Sequence, residues 1–168
     1  MNDKSLPFAS HAELIKSHSI AGRPLRDLVL EIQEIYTADE RPWIIGFSGG
    51  KDSTTILSLI YFAIQLLPKE KVQKSVYIVS SDTLVETPVV VDMVGRVMQL
   101  INSQAKADGL PISAHVVIPK DDQTFWVNLL GRGYPAPRQT FRWCTERMKI
   151  DPVTNFITGK VAQFGEVI

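Results

Sequence analysis

The run Ser48-Gly49-Gly50-Lys51-Asp52-Ser53 concentrates groups that grip phosphate. Two adjacent glycines let the backbone turn tightly and bring its N–H groups up to a ligand. The Ser48 and Ser53 hydroxyls add hydrogen bonds, and Lys51 adds a point charge. Asp52 would repel phosphates unless a cation bridges the two, which points to Mg2+. The run is not a Walker A loop. That pattern places a glycine where this chain has Ile45, and a Ser or Thr where it has Asp52. The plainer reading is a Gly-Gly turn with Asp52 and Ser53 capping a helix. It leaves Lys51, and the buried strand expected ahead of the loop, without a reason.

Two further groups of residues bear chemistry. Ser80-Ser81-Asp82-Thr83 offers hydroxyls and one acid, which suit a ribose, a base or a metal, although the same residue types simply make turns. Arg138, Arg142, Arg147 and Lys149 stand close together, opposed nearby only by Glu146 and Asp151. On a helix, Arg142, Glu146 and Lys149 share one face roughly, with Cys144 offset. Guanidinium groups suit phosphate oxygens, and cations near Cys144 favour its thiolate. Taken singly, Cys144 reads as a small buried hydrophobe and the cations as a solvated helix face. Gly131 to Pro137 is an irregular loop, or a lid facing substrate. His11, His18 and His115 show no ligand spacing and read as structural or surface residues, and Phe125 and Trp126 read as core.

The elements that must position these groups follow from pattern. Ala12 to His18 suits a short helix. Pro24 suits a first helical turn, and Leu25, Leu28, Val29, Ile32 and Ile35 recur at helical spacing up to Pro42. Trp43 to Phe47 is a short apolar run that reads as a buried strand. Thr54 to Leu67 reads as an apolar helix and Val76 to Val79 as a second strand. Thr87 and Pro88 open a helix that Asp108-Gly109 stops, and Ile112 to Ile118 is a third strand. Asp121 or Asp122 caps a short helix through Leu130. Thr140 to Ile150 is helical, limited by Pro152, and Phe164 to Ile168 begins a fourth strand. Alternating strands and helices predict an α/β fold, a parallel twisted sheet with helices on both faces. In such a sheet ligands sit beyond the C-terminal strand ends, where Ser48–Ser53 and Ser80–Glu86 both fall.

With 168 residues, 45% of them hydrophobic, the chain suits about one globular domain. Equal numbers of Lys+Arg and Asp+Glu, 18 each, give no overall charge argument for nucleic acid or membrane. A single cysteine excludes an internal disulfide and makes a reducing, cytoplasmic setting the default. No secretory signal and no membrane-spanning stretch is legible. The chain stops as a strand begins, so the expectation is a fold truncated at its C-terminal side.

The strand–Ser-Gly-Gly-Lys-Asp-Ser–helix unit resembles the PP-loop of the N-type ATP pyrophosphatases. Asp82-Thr83 through Glu86-Thr87-Pro88, and Arg142-Trp143-Cys144-Thr145 through Lys149 to Pro152, resemble the phosphoadenosine phosphosulfate reductase-like family. An ATP loop together with the reductase-like segment, spanning about Trp43 to Pro152, is most similar to the DndC-type sulfurtransferase family of bacterial DNA phosphorothioation. The resemblance implies an adenine nucleotide alpha hydrolase-like (HUP, Rossmann-like) domain over residues 41–168, expected to be incomplete, after a helical segment over residues 1–40. It implies ATP on Ser48, Gly49, Gly50, Lys51, Asp52, Ser53 and Asp82, with Mg2+ on Asp52. Lys51, Asp52, Arg142 and Lys149 would be catalytic in activating a DNA phosphate by adenylation, with release of pyrophosphate, before sulfur insertion. It further implies a [4Fe-4S] cluster with Cys144 as one ligand, the other ligands lying outside this chain. The implied partners are DNA, the other phosphorothioation components and a cysteine desulfurase as sulfur donor, with no membrane. The alternatives are a sulfate-assimilation enzyme (sulfate adenylyltransferase small subunit or phosphoadenylyl-sulfate reductase) and a non-catalytic nucleotide-binding module of a larger complex.

Overall fold

The computed structural model of the chain describes residues 18–168. The expected helix over Ala12 to His18 lies outside the described residues except for His18, which is irregular. A short antiparallel hairpin, β1 (Ser19–Ile20) and β2 (Arg23–Pro24), turns through Ala21 and Gly22, both at positive φ. Helix α1 (Leu25–Thr37) follows directly.

The centre is an α/β unit built on a three-stranded parallel sheet. Strands β3 (Trp43–Gly46), β4 (Val76–Ser81) and β5 (Ile112–Val117) lie in the order β3-β4-β5, with Trp43 beside Val76 and Val76 beside Ile112. Helix α2 (Lys51–Gln65) links β3 to β4, and α3 (Pro88–Asp108) links β4 to β5. Both crossovers step the same way along the sheet, and right-handed connections therefore put both helices on one face. The core confirms this placement. Val76, Ile78, Ile112 and Ala114 from the strands meet Leu57 and Ile64 of α2 and Met98, Ile101 and Ala105 of α3. Strand β4 is buried along nearly its whole length, and its first four residues, Val76 to Val79, form a continuous apolar run rather than an alternating one.

The opposite face is covered by the last helix. Tyr77 meets Phe156 and Phe164 at ring separations of 6.1 and 6.2 Å, and His115 meets Phe156 at 5.1 Å. His115 also shares a hydrogen bond with Ser113 Oγ at 2.9 Å. Burial, helped by nearby Lys160, pushes its pKa down. It is a packed, neutral ring, in line with the structural role expected for it.

Near the C-terminus the sequence expectations need correction. Thr140 to Ile150 is not one helix ended by Pro152. The helix starts at α4 (Trp143–Thr145), widens into a π-turn over Glu146–Ile150, and continues past Pro152 as α5 (Asp151–Phe164). Pro152 has no N–H to give the Met148 carbonyl. The ladder instead closes one step wider, with Asp151 N–H donating to the Glu146 carbonyl. Nor is residues 121–130 one helix capped by an aspartate. A 3-10 turn (Asp121–Gln123) leads into a second π-turn (Val127–Gly131), without a side-chain cap on either. Phe164 ends a helix rather than opening a strand. Only Ile168 takes a strand-like place: its N–H donates to Pro42 O at 2.8 Å, and its carbonyl accepts from Ile44 N–H at 2.6 Å. Those two bonds straddle Trp43 as a parallel neighbour's would.

At the other end of the sheet Lys74, almost wholly buried, stands 4.8 Å from the Trp43 ring centre and 5.0 Å from that of Tyr36. Its ammonium reaches Asp39 at 3.1 Å, and Arg41 also bonds Asp39. Arg41 first, and Lys74 with it, hold the Asp39 carboxyl down from the ordinary 3.8 to about 2. A depressed carboxylate stabilises the fold above its unfolded pKa, and that stabilisation is lost as pH falls through the folded value. The thermal midpoint is therefore expected to drop between about pH 4 and about pH 2. Asp39→Asn should flatten that part of the profile, which a calorimetric pH series measures.

Candidate nucleotide site

The loop over residues 48–50 sits where β3 hands over to α2. Phe47 N–H still donates to Val79 O at 2.8 Å, so the strand pairing runs up to the loop's first residue. Gly49 then takes φ +74°, a left-handed backbone that favours glycine. It also lies under α3: a Cβ added there would stand 3.1 Å from Val94 Cγ2 and 3.2 Å from Met93 Cε. Ser48 and Ser53 close the loop on itself. Their hydroxyls lie 3.1 Å apart, and Ser53 Oγ also donates to Gly50 O at 3.0 Å.

Helix α2 opens at Lys51, not at Thr54 as its apolar pattern predicts. Lys51, Asp52 and Ser53 therefore form its first turn. Gly50 is the N-cap and offers no side chain, so the helix starts without a side-chain cap. Its leading N–H groups point outward with the positive end of the helix dipole behind them. Lys51 and Asp52 are exposed, and neither forms an ion pair among the described residues. A loop of this form is an anion cradle.

The sheet order explains why the cradle is here. From β3 the chain moves outward through β4 to β5, whereas Ile168 lies on the other edge of β3. The chain end thus returns to the free edge of β3, and open parallel sheets take ligands beyond the C-terminal ends of their strands. A cleft of about 310 Å3 lies there. Phe47 and Ser48 form one side, Ser80, Ser81 and Asp82 another, and Val90, Val94 and Gly95 of α3 make an apolar wall. The volume and the mixed lining suit a nucleoside-sized body.

No protein-family model matches the chain, and no curated protein matches it.

The remaining candidates divide. Lys149 lines the cleft, and its Nζ stands 3.6 Å from Glu86 Oε1 on the opposite rim. Asp82 lines it too, but one of its oxygens is committed: Oδ1 accepts Leu84 N–H at 2.8 Å and helps hold Leu84 at φ +62°. Arg147 points elsewhere. Its guanidinium donates to Gln123 Oε1 and, at 3.0 Å, to the Tyr134 hydroxyl, and it lies 5.3 Å from the Tyr134 ring centre. Arg142 precedes the helix with non-helical dihedrals, and the π-turn then widens the winding, so Arg142, Glu146 and Lys149 do not share the face of a regular helix. Arg138 and Arg142 are exposed and form no ion pair among the described residues.

The loop from Gly131 to Pro137 is fastened rather than loose. Arg132 bonds Gln123 and Asn128 and pairs with Asp122 at 3.1 Å. Trp143 Nε1 donates to Pro135 O at 3.0 Å. The Trp143 ring stacks on Phe125 at 5.4 Å and meets Tyr134 edge-on at 5.5 Å. Phe125 is thus packed as expected, but Trp126 is 58% exposed. Neighbouring residues on a helical turn point about 100° apart, so only one of the two rings can face Trp143.

Asp52 fits a magnesium ion held mainly by a ligand's phosphates, since Mg2+ usually takes one or two carboxylates and keeps the rest of its shell for phosphate and water. The residues of this chain alone do not make a four-iron site, and the resemblance places the other ligands outside it. Cys144 is the sole cysteine, and among the described residues no group of three metal-ligating side chains gathers. Sequence pattern placed Glu86 in the segment at the ligand end of the sheet without giving it a role, and it missed the α3 wall. The Val89-Val90-Val91 run directly after Pro88 was the available signal, being too apolar for an exposed first turn.

Proposed function

We propose that the chain binds ATP with its β and γ phosphates in the cradle of residues 48–53 and its nucleoside in the adjoining cleft, and that it transfers AMP to an oxygen nucleophile. Support comes above all from the uncapped first turn of α2, set at the C-terminal end of β3, with Ser48 of the same loop lining a nucleoside-sized cleft. The domain is then of the HUP, Rossmann-like class, in the PP-loop branch. Backbone N–H groups and the Ser48 and Ser53 hydroxyls would bind pyrophosphate oxygens, and Lys51 would neutralise charge on them. Asp52 would hold Mg2+, which when bound screens the phosphate charges.

In the reaction, an acceptor oxygen attacks the α-phosphorus, the bond to the α,β-bridging oxygen breaks, and pyrophosphate leaves. A DNA phosphodiester oxygen is already anionic, so no general base is required. In line with this, no histidine among the described residues lines the cleft. A persulfide supplied through a cysteine desulfurase would then attack the DNA phosphorus, AMP would leave with the displaced oxygen, and a thiol reductant would cleave the remaining S–S bond to complete phosphorothioation in the cytoplasm. Arg138 and Arg142, exposed and without an ion pair among the described residues, would meet the DNA backbone. Among the described residues no helix is long and apolar enough to cross a membrane.

Calorimetry with Mg·ATP, followed by product analysis with DNA present, tests this reading. Binding and formation of AMP and pyrophosphate are expected; absence of heat, or ADP as product, overturns it. Arg142→Ala should weaken DNA binding and make its salt dependence shallower, by about one phosphate contact's worth of slope. Unchanged binding across a salt series counts against DNA at this surface.

A further inference from the structure

Lys149 and Glu86 reach the cleft from different elements, and among the described residues no other cation lines it. Lys149 comes from the π-turn and Glu86 from the segment between β4 and α3. They meet at 3.6 Å, an ion pair without a hydrogen bond between them. The Glu86 oxygen that faces Lys149 already accepts from Thr83 Oγ1 at 3.2 Å, so the acid is held in place while the lysine swings on a flexible stem. Both side chains are partly exposed, 36% for Glu86 and 56% for Lys149. Pairs of this kind are weak. A phosphate group offers the same ammonium a shorter, charge-assisted bond.

From these observations, and resting on the nucleotide reading above, we infer that Glu86 is an exchangeable counter-ion. It holds Lys149 across the empty cleft and gives it up to an anionic group of the bound ligand. The acid thereby makes the cleft selective. A neutral nucleoside leaves the pair intact and gains nothing from Lys149. A phosphorylated one recruits the lysine but must first break the pair and then endure the carboxylate beside it. Glu86 is in this sense a specificity-determining residue that acts through Lys149.

A double-mutant cycle read by calorimetry tests the exchange, with ATP and adenosine as probes. Glu86→Gln is expected to tighten ATP about tenfold in the natural background, because both pair-breaking and repulsion disappear. In a Lys149→Gln background the gain should shrink to about threefold, since only repulsion is relieved. Glu86→Asp, which keeps the charge, should stay near the natural affinity. Adenosine affinity should not move in any variant. Equal ATP gains in the two backgrounds, or weaker ATP binding by Glu86→Gln, overturn the exchange, the latter by showing the pair intact in the complex. If the natural chain binds ATP and the cycle fails, only the exchange falls; if the natural chain binds no ATP, both readings fall.

Discussion

Gly49→Ala is expected to weaken ATP binding by about 100-fold while leaving the fold intact. Two costs combine. A side chain in the left-handed region costs on the order of 1–2 kcal/mol, and Gly49 has φ +74°. The new methyl would also press on Val94 Cγ2 at 3.1 Å and Met93 Cε at 3.2 Å. Met93 can move aside, but Val94 is short and branched and sits on a packed helix. The loop relieves the strain by lifting away, which turns its N–H groups off the phosphates. Hydrogen bonds to a charged partner are worth about 1.5–3 kcal/mol each, and about 1.4 kcal/mol is tenfold in affinity, so loss of one such bond with the strain reaches the stated size. Far-ultraviolet circular dichroism should be unchanged, because the loop lies outside the core. An affinity within about threefold of the natural chain would show that the loop does not cradle the ligand.

The second large effect concerns stability. Trp143→Ala should cost about 3–5 kcal/mol, the range for truncating a buried aromatic. Trp143 is 5% exposed, stacked on Phe125, edge-on to Tyr134, and bonded through Nε1 to the Pro135 carbonyl. It therefore joins the 121–131 turns, the 131–137 loop and the start of the last helix, segments that Arg132 and Arg147 also tie together. Trp143→Phe keeps most of the packing and loses the bond to Pro135, for about 1 kcal/mol. Urea unfolding midpoints measure both. A Trp143→Ala loss below about 1 kcal/mol would mean that the loop is held by Arg132 and its partners instead.

The parallel strands and the phosphate loop were legible in the sequence for a physical reason. A central strand covered on both faces must be apolar throughout, and Val76 to Val79 is. A loop that presents its amides needs Gly-Gly between strand and helix, and residues 46–53 show that order. Helix starts were less legible. Lys51 to Ser53 are polar, so hydrophobic spacing points to Thr54 although the winding begins earlier. The π-turn was hidden because proline usually stops a helix. Here a wider turn absorbs it, and nothing local in Glu146 to Ile150 announces that choice. Glu86 and Lys149 are far apart in sequence, and only the sheet and its crossovers bring them to one cleft. Trp126 failed differently, since adjacent aromatics on a turn cannot both be buried against one neighbour.

That wider turn makes Pro152 a setting screw. It is absent from the cleft lining, yet its missing amide leaves the Met148 carbonyl without a helical donor just past Lys149. A residue that restores the amide is expected to favour ordinary pitch there and to turn the lysine off its bearing, with each side chain of the cleft still present.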